Sequence, residues 1–174
     1  MEKKKITIIG AGMMGSALAF PAAENGHEVH IVGTCLDDKI IDGYLATGKH
    51  EKFCRPFPEN VNYHYFKDWK TVVEGSDFVI GGVSSFGVDW FLEEILIQLD
   101  PEMPVLSVTK GLRATDDGSL LSYPGYWMSE LAKRGIHRDI CAVGGPCTSY
   151  ELVFKDPTEV AFCGWDNEVL RMMK

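Results

Sequence analysis

The chain has 174 residues, of which 45% are hydrophobic and 24% charged, as expected for a globular domain with one sizeable core. With 17 Lys and Arg against 25 Asp and Glu, its formal net charge is −8, which argues against nucleic acids and anionic membranes as partners. The five cysteines have neither CxxC spacing nor histidines at zinc-ligand spacing, so we expect free thiols, a cytoplasmic protein and no metal site.

The start of the chain allows two interpretations. Lys3, Lys4 and Lys5 precede an uncharged stretch at residues 6–23, as they would in a secretory signal peptide. Glycines interrupt this stretch directly after a β-branched segment, and a strand followed by a turn accounts for them better. We therefore favour a first strand and keep the signal peptide as the alternative.

Short β-branched runs alternate with helical patterns along the chain. We predict strands at residues 5–9, 28–32, 61–66, 78–82, 105–108, 140–143 and 159–163. We predict helices at residues 13–25, 40–45, 69–73, 88–99 and 127–134. Pro21 lies inside the first helix, where we expect a kink. The alternation predicts an α/β protein of the Rossmann type, a doubly wound and mostly parallel sheet covered by helices on both faces.

Residues 10–15 read GAGMMG and match the pattern GxGxxG between the first predicted strand and helix. In that context the first glycine permits a tight turn, the second lets a pyrophosphate approach the backbone, and the third allows close helix packing. The helix N-terminus also offers free N–H groups to the phosphates. We therefore predict NAD or NADP binding here, the alternative being a purely structural turn. The predicted contacts are Gly10, Gly12, Met13, Met14 and Gly15.

The choice between NAD and NADP stays open at this point. In NAD-binding folds an acid about 20 residues further on bonds the ribose 2′-hydroxyl, whereas an arginine accommodates the 2′-phosphate of NADP. The corresponding residues 31–34 read IVGT and contain neither, while Asp37 and Asp38 lie a little beyond. Thr34 is a candidate contact for either group, so we expect little discrimination between the two cofactors.

Six short motifs follow one another along the chain: residues 10–15 (GAGMMG), 24–29 (ENGHEV), 57–61 (FPENV), 83–85 (VSS), 109–112 (TKGL) and 144–146 (GGP). Taken together and in this order, they resemble the motifs of the N-terminal half of glycerol-3-phosphate dehydrogenase. The resemblance covers nearly the whole chain. It implies the cofactor-binding domain of an enzyme that interconverts dihydroxyacetone phosphate and glycerol 3-phosphate by hydride transfer with NAD(P)H.

The resemblance also implies roles for individual residues. Lys110 would contact both cofactor and substrate and serve the chemistry, the alternative being a loop lysine in solvent. Gly145 and Cys147 would hold the substrate, although the family commonly has serine at the second position. Because a thiol is a weak hydrogen-bond partner, a buried and inert Cys147 is an equal alternative.

Three further cofactor contacts follow from the same resemblance. Ser84 lies in the loop after the fourth strand, and Ser149 falls where the family's backbone reaches the cofactor. Phe53 matches an aromatic residue of the family's cofactor cleft, with a place in a satellite core as the alternative. The family often has Ser-Trp at the positions of Met13 and Met14, so flexible thioether packing replaces any stacking by that tryptophan.

The family also places a second lysine, its usual proton donor, and its ligands for the substrate phosphate in a helical domain that follows. Because this chain ends at Lys174, we expect residues 1–174 to form the cofactor domain alone, with little activity in isolation. We expect a small phosphorylated substrate and allow a homodimer. Two alternatives remain: a related two-domain dehydrogenase for hydroxy acids, ketopantoate or sugar nucleotides, and a non-catalytic dinucleotide-binding module.

Overall fold

The computed structural model describes residues 2–174, in which strands and helices alternate as the sequence predicts. The strands are β1 (Lys5–Ile9), β2 (Glu28–Val32), β3 (Val61–His64), β4 (Phe78–Gly81), β5 (Val105–Ser107), β6 (Leu112–Ala114), β7 (Leu120–Ser122), β8 (Ile140–Gly144) and β9 (Ala161–Cys163). The helices are α1 (Met13–Glu24), α2 (Asp38–Thr47), α3 (Trp69–Val73), α4 (Val88–Phe91), α5 (Tyr123–Lys133), α6 (Ser149–Phe154) and α7 (Asn167–Met173).

One seven-stranded sheet organises the chain, with the strand order β3-β2-β1-β4-β5-β8-β9. The six strands β3, β2, β1, β4, β5 and β8 are parallel, whereas β9 runs antiparallel to β8. The chain builds outward from β1 to β3 and then crosses back to β4, so the strand order reverses between β1 and β4. Open α/β sheets bind ligands at such a switch point, outside the carboxyl ends of the strands. The predicted doubly wound fold is confirmed.

Helices cover both faces of the sheet because alternate residues of each buried strand point to opposite sides. Ile8 and Ile31 belong to the core beneath α1, α2 and α6, whereas Ile9 and Val32 belong to the core beneath α3, α4 and α5. On the second face the fully buried Trp127 donates from its indole nitrogen to the Val88 carbonyl at 2.8 Å, which joins α5 to α4.

The structure differs from the predicted elements in three respects, the first of which is that the short helices α6 and α7 were not predicted. The helix predicted over residues 88–99 keeps its buried apolar face, but after α4 it widens into a π-helical turn at Leu92–Leu96. The hairpin β6–β7 was not predicted, since its strands have three residues each and expose most of their side chains. Helix α5 accordingly begins four residues earlier than expected, where the Ser122 hydroxyl accepts the Gly125 N–H as an N-cap.

The interpretation of residues 5–9 as a strand is confirmed, because β1 pairs with both β2 and β4 in the middle of the sheet. Helix α1 continues through Pro21 to Glu24, so the proline does not end it. Within residues 2–174, no helix combines the length and the apolar composition needed to cross a membrane.

Candidate functional site

The glycine-rich turn lies at the switch point, and packing dictates two of its glycines. Gly10 has a φ of +113°, and a Cβ there would lie 2.7 Å from the Gly82 carbonyl oxygen. A Cβ on Gly15 would overlap the Gly10 carbonyl oxygen. A Cβ on Gly12, by contrast, would approach only the Gly82 oxygen, at 3.9 Å. The backbone thus forces glycine at positions 10 and 15, whereas Gly12 faces open space beside the turn.

Two buried hydroxyl groups bind the Ala11 carbonyl oxygen and so fix the glycine-rich turn. The Ser16 hydroxyl donates to this oxygen at 3.0 Å and the Tyr44 hydroxyl at 2.9 Å, while the two hydroxyl oxygens lie 2.7 Å apart. Burial raises the pKa of Tyr44 well above its ordinary value, so the phenol keeps its proton as a donor. The sequence did not single out either side chain, because their contact spans 28 residues.

Asp37 connects this turn to the loop after β2. Its Oδ2 accepts hydrogen bonds from the Ala11 N–H at 3.2 Å, the Thr34 N–H at 2.8 Å and the Thr34 hydroxyl at 2.9 Å. In the sequence Asp37 stands beyond the expected contact position, but the loop folds back and returns its carboxylate to the glycine-rich turn. The pattern of a threonine followed three residues later by an aspartate, directly before a helix, could have indicated this local turn.

A cleft of about 300 Å³ opens between the loop after β2 and the loop after β4. Gly10, Gly12, Thr34 and Ser84, all predicted cofactor contacts, line it together. Asp37, Leu36, Phe86 and Trp90 also line it and were not predicted. The side chains of Leu36 and Phe86 are 88% and 99% exposed, so large apolar groups stand free at the rim. An aromatic or nucleobase ring is a suitable partner for such groups.

A second crevice lies further along the same edge of the sheet, after β5 and β8. The Lys110 ammonium donates to the Gly145 carbonyl at 2.8 Å across 35 residues of sequence. Gly111 turns the chain out of the sheet with a φ of +137°, and a Cβ there would lie 2.6 Å from the Tyr123 ring. The buried Thr109 hydroxyl donates to the Val83 carbonyl at 2.7 Å, which ties this crevice to the loop that carries Ser84.

Four other predicted contacts, Cys147, Ser149, Met13 and Met14, are not among the residues that line the cleft. Cys147 is buried, and its thiol lies 3.4 Å from the Thr148 carbonyl. Ser149 is the first residue of α6. Thr148 and Glu151 form a capping box at the N-terminus of this helix. Met13 and Met14, at the start of α1, are half-buried against the first core.

Phe53 does not lie with the residues that line the cleft. It is 3% exposed and packs edge-on against Phe20 and Tyr150, at ring-centroid distances of 6.2 and 5.6 Å. This is the satellite-core position that the sequence left as an alternative. Phe53 therefore packs in the core against one residue of α1 and one residue of α6.

The parallel sheet with its switch point, the glycine-rich turn and the adjoining cleft define a Rossmann-type dinucleotide-binding domain. The family described as NAD-dependent glycerol-3-phosphate dehydrogenase N-terminus matches residues 5–169. The chain belongs to this family, as its motifs predicted.

Curated relatives agree with this assignment, and a solved structure agrees with the fold. The chain is 30% identical over 169 residues to the NADP(+)-dependent glycerol-3-phosphate dehydrogenase of Archaeoglobus fulgidus, covering 97% of this chain and 49% of that protein. It is also 30% identical to the glycerol-3-phosphate dehydrogenase [NAD(P)+] of Francisella philomiragia, covering 95% and 47%. The crystal structure of glycerol-3-phosphate dehydrogenase from Coxiella burnetii shares the fold, with a TM-score of 0.81 and 22% identity over 98% of this chain and 50% of that one. The chain thus spans about half the length of the curated relatives it matches.

Proposed function

We propose that this chain is the cofactor-binding half of an enzyme that interconverts dihydroxyacetone phosphate and glycerol 3-phosphate with NAD or NADP. The contact between Lys110 and Gly145 carries this proposal. It brings two motifs shared with the family together at the carboxyl edge of the sheet, and Thr109 ties them to the cofactor cleft. The proton donor and the ligands of the substrate phosphate belong, in this proposal, to a second, helical domain.

The residues of the first region fit a dinucleotide. The open space at Gly12 leaves room for a pyrophosphate against the backbone, and no side chain of residues 2–174 caps the N-terminus of α1. The N–H groups and the dipole of this 12-residue helix favour a negative charge at that point. Thr34, in the loop after β2, and Ser84, in the loop after β4, line the same cleft as Gly12.

The residues of the second region fit a small phosphorylated substrate. A nicotinamide cofactor supplies the hydride chemistry when it is bound, and the protein orients the reactants. The Gly145 carbonyl holds the Lys110 ammonium at the crevice, where a fixed positive charge attracts an anionic substrate. The same charge stabilises negative charge on a carbonyl oxygen that is being reduced.

We further propose a cytoplasmic location and a homodimer. The free thiols support the location, because disulfides are rare in a reducing compartment. Analytical ultracentrifugation tests the dimer, and a monomer at all concentrations would contradict it.

Calorimetric titration of the chain with NADH and NADPH tests the proposed cofactor site. Gly12→Val places a branched side chain in the open space beside the turn, and we expect it to weaken binding of both nucleotides about a hundredfold or more. Gly43→Val is the matched control, since a Cβ on Gly43 likewise makes no close contact with residues 2–174 but lies on α2. It should bind like the wild type. Equal affinity of wild type and Gly12→Val for the nucleotides would show that the cofactor does not bind at the glycine-rich turn.

A further inference from the structure

A cavity of about 560 Å³ lies between α1 and α7 and extends to the amino-terminal edge of the sheet, where Lys4 and His27 line it. The cofactor cleft lies beyond the carboxyl ends of the strands, and no described residue lines both. We propose that this cavity binds a linear alkyl carboxylate, the anion of a fatty acid, with its chain inside the cavity and its carboxylate at Arg171. This inference goes beyond the proposed function and does not depend on cofactor binding.

The lining of the cavity is mainly apolar and suits an alkyl chain. Space of this size between apolar side chains leaves dispersion contacts unmade, and an alkyl chain provides them. Met172 and Met173 of the lining are unbranched and adapt their shape to a flexible ligand. The sheet and α1 contribute buried apolar side chains to the same lining, namely Ile6, Leu18, Phe78, Ile80 and Leu106.

The direction in which the cavity extends favours a long and slender ligand. Its lining reaches from Ile6 of β1 to Phe162 of β9. In the strand order of the sheet these two strands are four positions apart. At about 4.8 Å between neighbouring strands, the lining spans roughly 19 Å across the sheet. A linear chain of about ten carbon atoms fits such a space better than a compact ring.

The charged residues of the lining favour an anionic head group, although the chain as a whole has a net charge of −8. Lys4, Arg171 and Lys174 line the cavity, whereas no Asp or Glu of residues 2–174 does. Lys4 is already paired with Glu2 and Asp77, at 3.0 and 3.3 Å. Arg171 is exposed on α7 and forms no ion pair or side-chain hydrogen bond with residues 2–174. Its planar guanidinium is therefore available to bind a carboxylate through two parallel hydrogen bonds.

Calorimetric titration of the chain with decanoate, hexanoate and decyltrimethylammonium tests this class of ligand. Decanoate should bind at least about tenfold more tightly than hexanoate, because each buried methylene contributes about fourfold to the affinity. It should also bind at least about fivefold more tightly than decyltrimethylammonium, which has the same alkyl chain but a positive head group. Nonspecific association with an acidic chain would favour the cation instead. Equal binding of decanoate and hexanoate, or equal or tighter binding of the cation, would overturn the proposal.

Arg171→Gln tests the position of the carboxylate. The variant removes the charge on α7, so affinity for decanoate should fall about fivefold while affinity for decyltrimethylammonium does not fall. Arg134→Gln is the matched control, because Arg134 is an exposed arginine at the end of α5 and does not line the cavity. It should change both affinities less than twofold. Unchanged affinity of Arg171→Gln for decanoate would contradict binding of the carboxylate at Arg171.

Ala22→Phe tests the position of the alkyl chain. Ala22 lines the cavity from α1 and is only partly buried, so a phenyl ring there occupies the space proposed for the ligand. We expect affinity for decanoate to fall more than about tenfold. Ala46→Phe, which adds the same ring at an exposed position of α2, should bind decanoate like the wild type. A folded Ala22→Phe variant with wild-type affinity would place the site elsewhere. Should Ala22→Phe fail to fold, Arg171→Gln and the comparison of the three ligands decide.

A wild-type chain that does not bind decanoate below its critical micelle concentration would also overturn the proposal. Sedimentation of wild type and Arg171→Gln would then show whether a second copy of the chain occupies the cavity instead. These titrations contain no nucleotide, so their outcome is independent of the NADH and NADPH titrations that test the proposed function.

Discussion

The glycine-rich turn and the Lys110 crevice lie at the same edge of the sheet but are held in different ways. In the turn, a Cβ on Gly10 or Gly15 would collide with backbone oxygens, and buried hydroxyl groups fix the Ala11 carbonyl. In the crevice, an exposed ammonium reaches one carbonyl through a single hydrogen bond. Substitutions at Gly10 or Gly15 should therefore lower the stability of the fold. Substitutions in the crevice should instead lower the rate of the reaction and leave stability nearly constant.

Gly12 sharpens this comparison, because it belongs to the turn by sequence but not by packing. Its φ of −68° is open to any residue, and its Cβ position is free of close contacts. Neighbouring glycines of one motif can thus be needed for different reasons. Gly15 is required by the protein itself, and Gly12 by the ligand that we propose.

The largest expected effect on stability is that of Gly15→Ala. The added Cβ would overlap the Gly10 carbonyl oxygen, which is a backbone atom, so the glycine-rich turn itself must shift. We expect a loss of about 3 kcal/mol or more, which lowers Tm by about 10 °C in a chain of this size. Gly12→Ala is the control and should change Tm by less than about 2 °C. Similar thermal unfolding of the two variants would show that packing does not separate these glycines.

Thr109→Val should have an intermediate effect, because Thr109 connects the two regions. Valine has nearly the same shape, but it leaves the Val83 carbonyl without the buried hydroxyl donor at 2.7 Å. Such a loss costs about 1 to 2 kcal/mol. We also expect NADH affinity to fall severalfold, since the loop that carries Ser84 loses its anchor. Thr71→Val, at an exposed position of α3, is the control. Unchanged affinity in a destabilised Thr109→Val variant would mean that the two regions are independent.

Local sequence was enough to predict most of the sheet and the glycine-rich turn. The β-branched runs mark the buried parallel strands, and the motif at residues 10–15 carries its own backbone requirements. It was not enough for the hairpin β6–β7, whose strands are short and mostly exposed. The π-helical turn after α4 likewise keeps the apolar spacing of an ordinary helix, so the pattern does not reveal it.

Contacts between distant residues explain what the sequence missed in the candidate site. Tyr44 reaches Ala11 across 33 residues, and Thr109 reaches Val83 across 26. Asp37 was seen but placed too far from the turn, because counting along the chain does not show that its loop folds back. Phe53 was placed in the cleft because it matches an aromatic residue of the family, but an aromatic ring suits a core as well as a cleft, and Phe53 is buried.

Lys110→Ala should have the smallest effect on stability and a large effect on chemistry. The side chain is exposed and makes one hydrogen bond, so its removal should change the free energy of unfolding by no more than about 0.5 kcal/mol. Turnover requires the proposed second domain, so the assay uses residues 1–174 fused to the C-terminal half of the Archaeoglobus fulgidus relative. In that fusion Lys110→Ala should lower reduction of dihydroxyacetone phosphate about a hundredfold, the scale of losing one preorganised electrostatic contact.

The control for this variant is Lys133→Ala, which removes another exposed ammonium, at the C-terminal end of α5. It should leave both Tm and turnover unchanged, because within residues 2–174 Lys133 pairs only with Glu130 on its own helix. Lys110→Ala with full turnover would place the lysine outside the chemistry, and a large fall in Tm would show that it holds the fold instead. Either result would contradict the expected difference between the two regions, in which the glycine-rich turn determines stability and the Lys110 crevice determines chemistry.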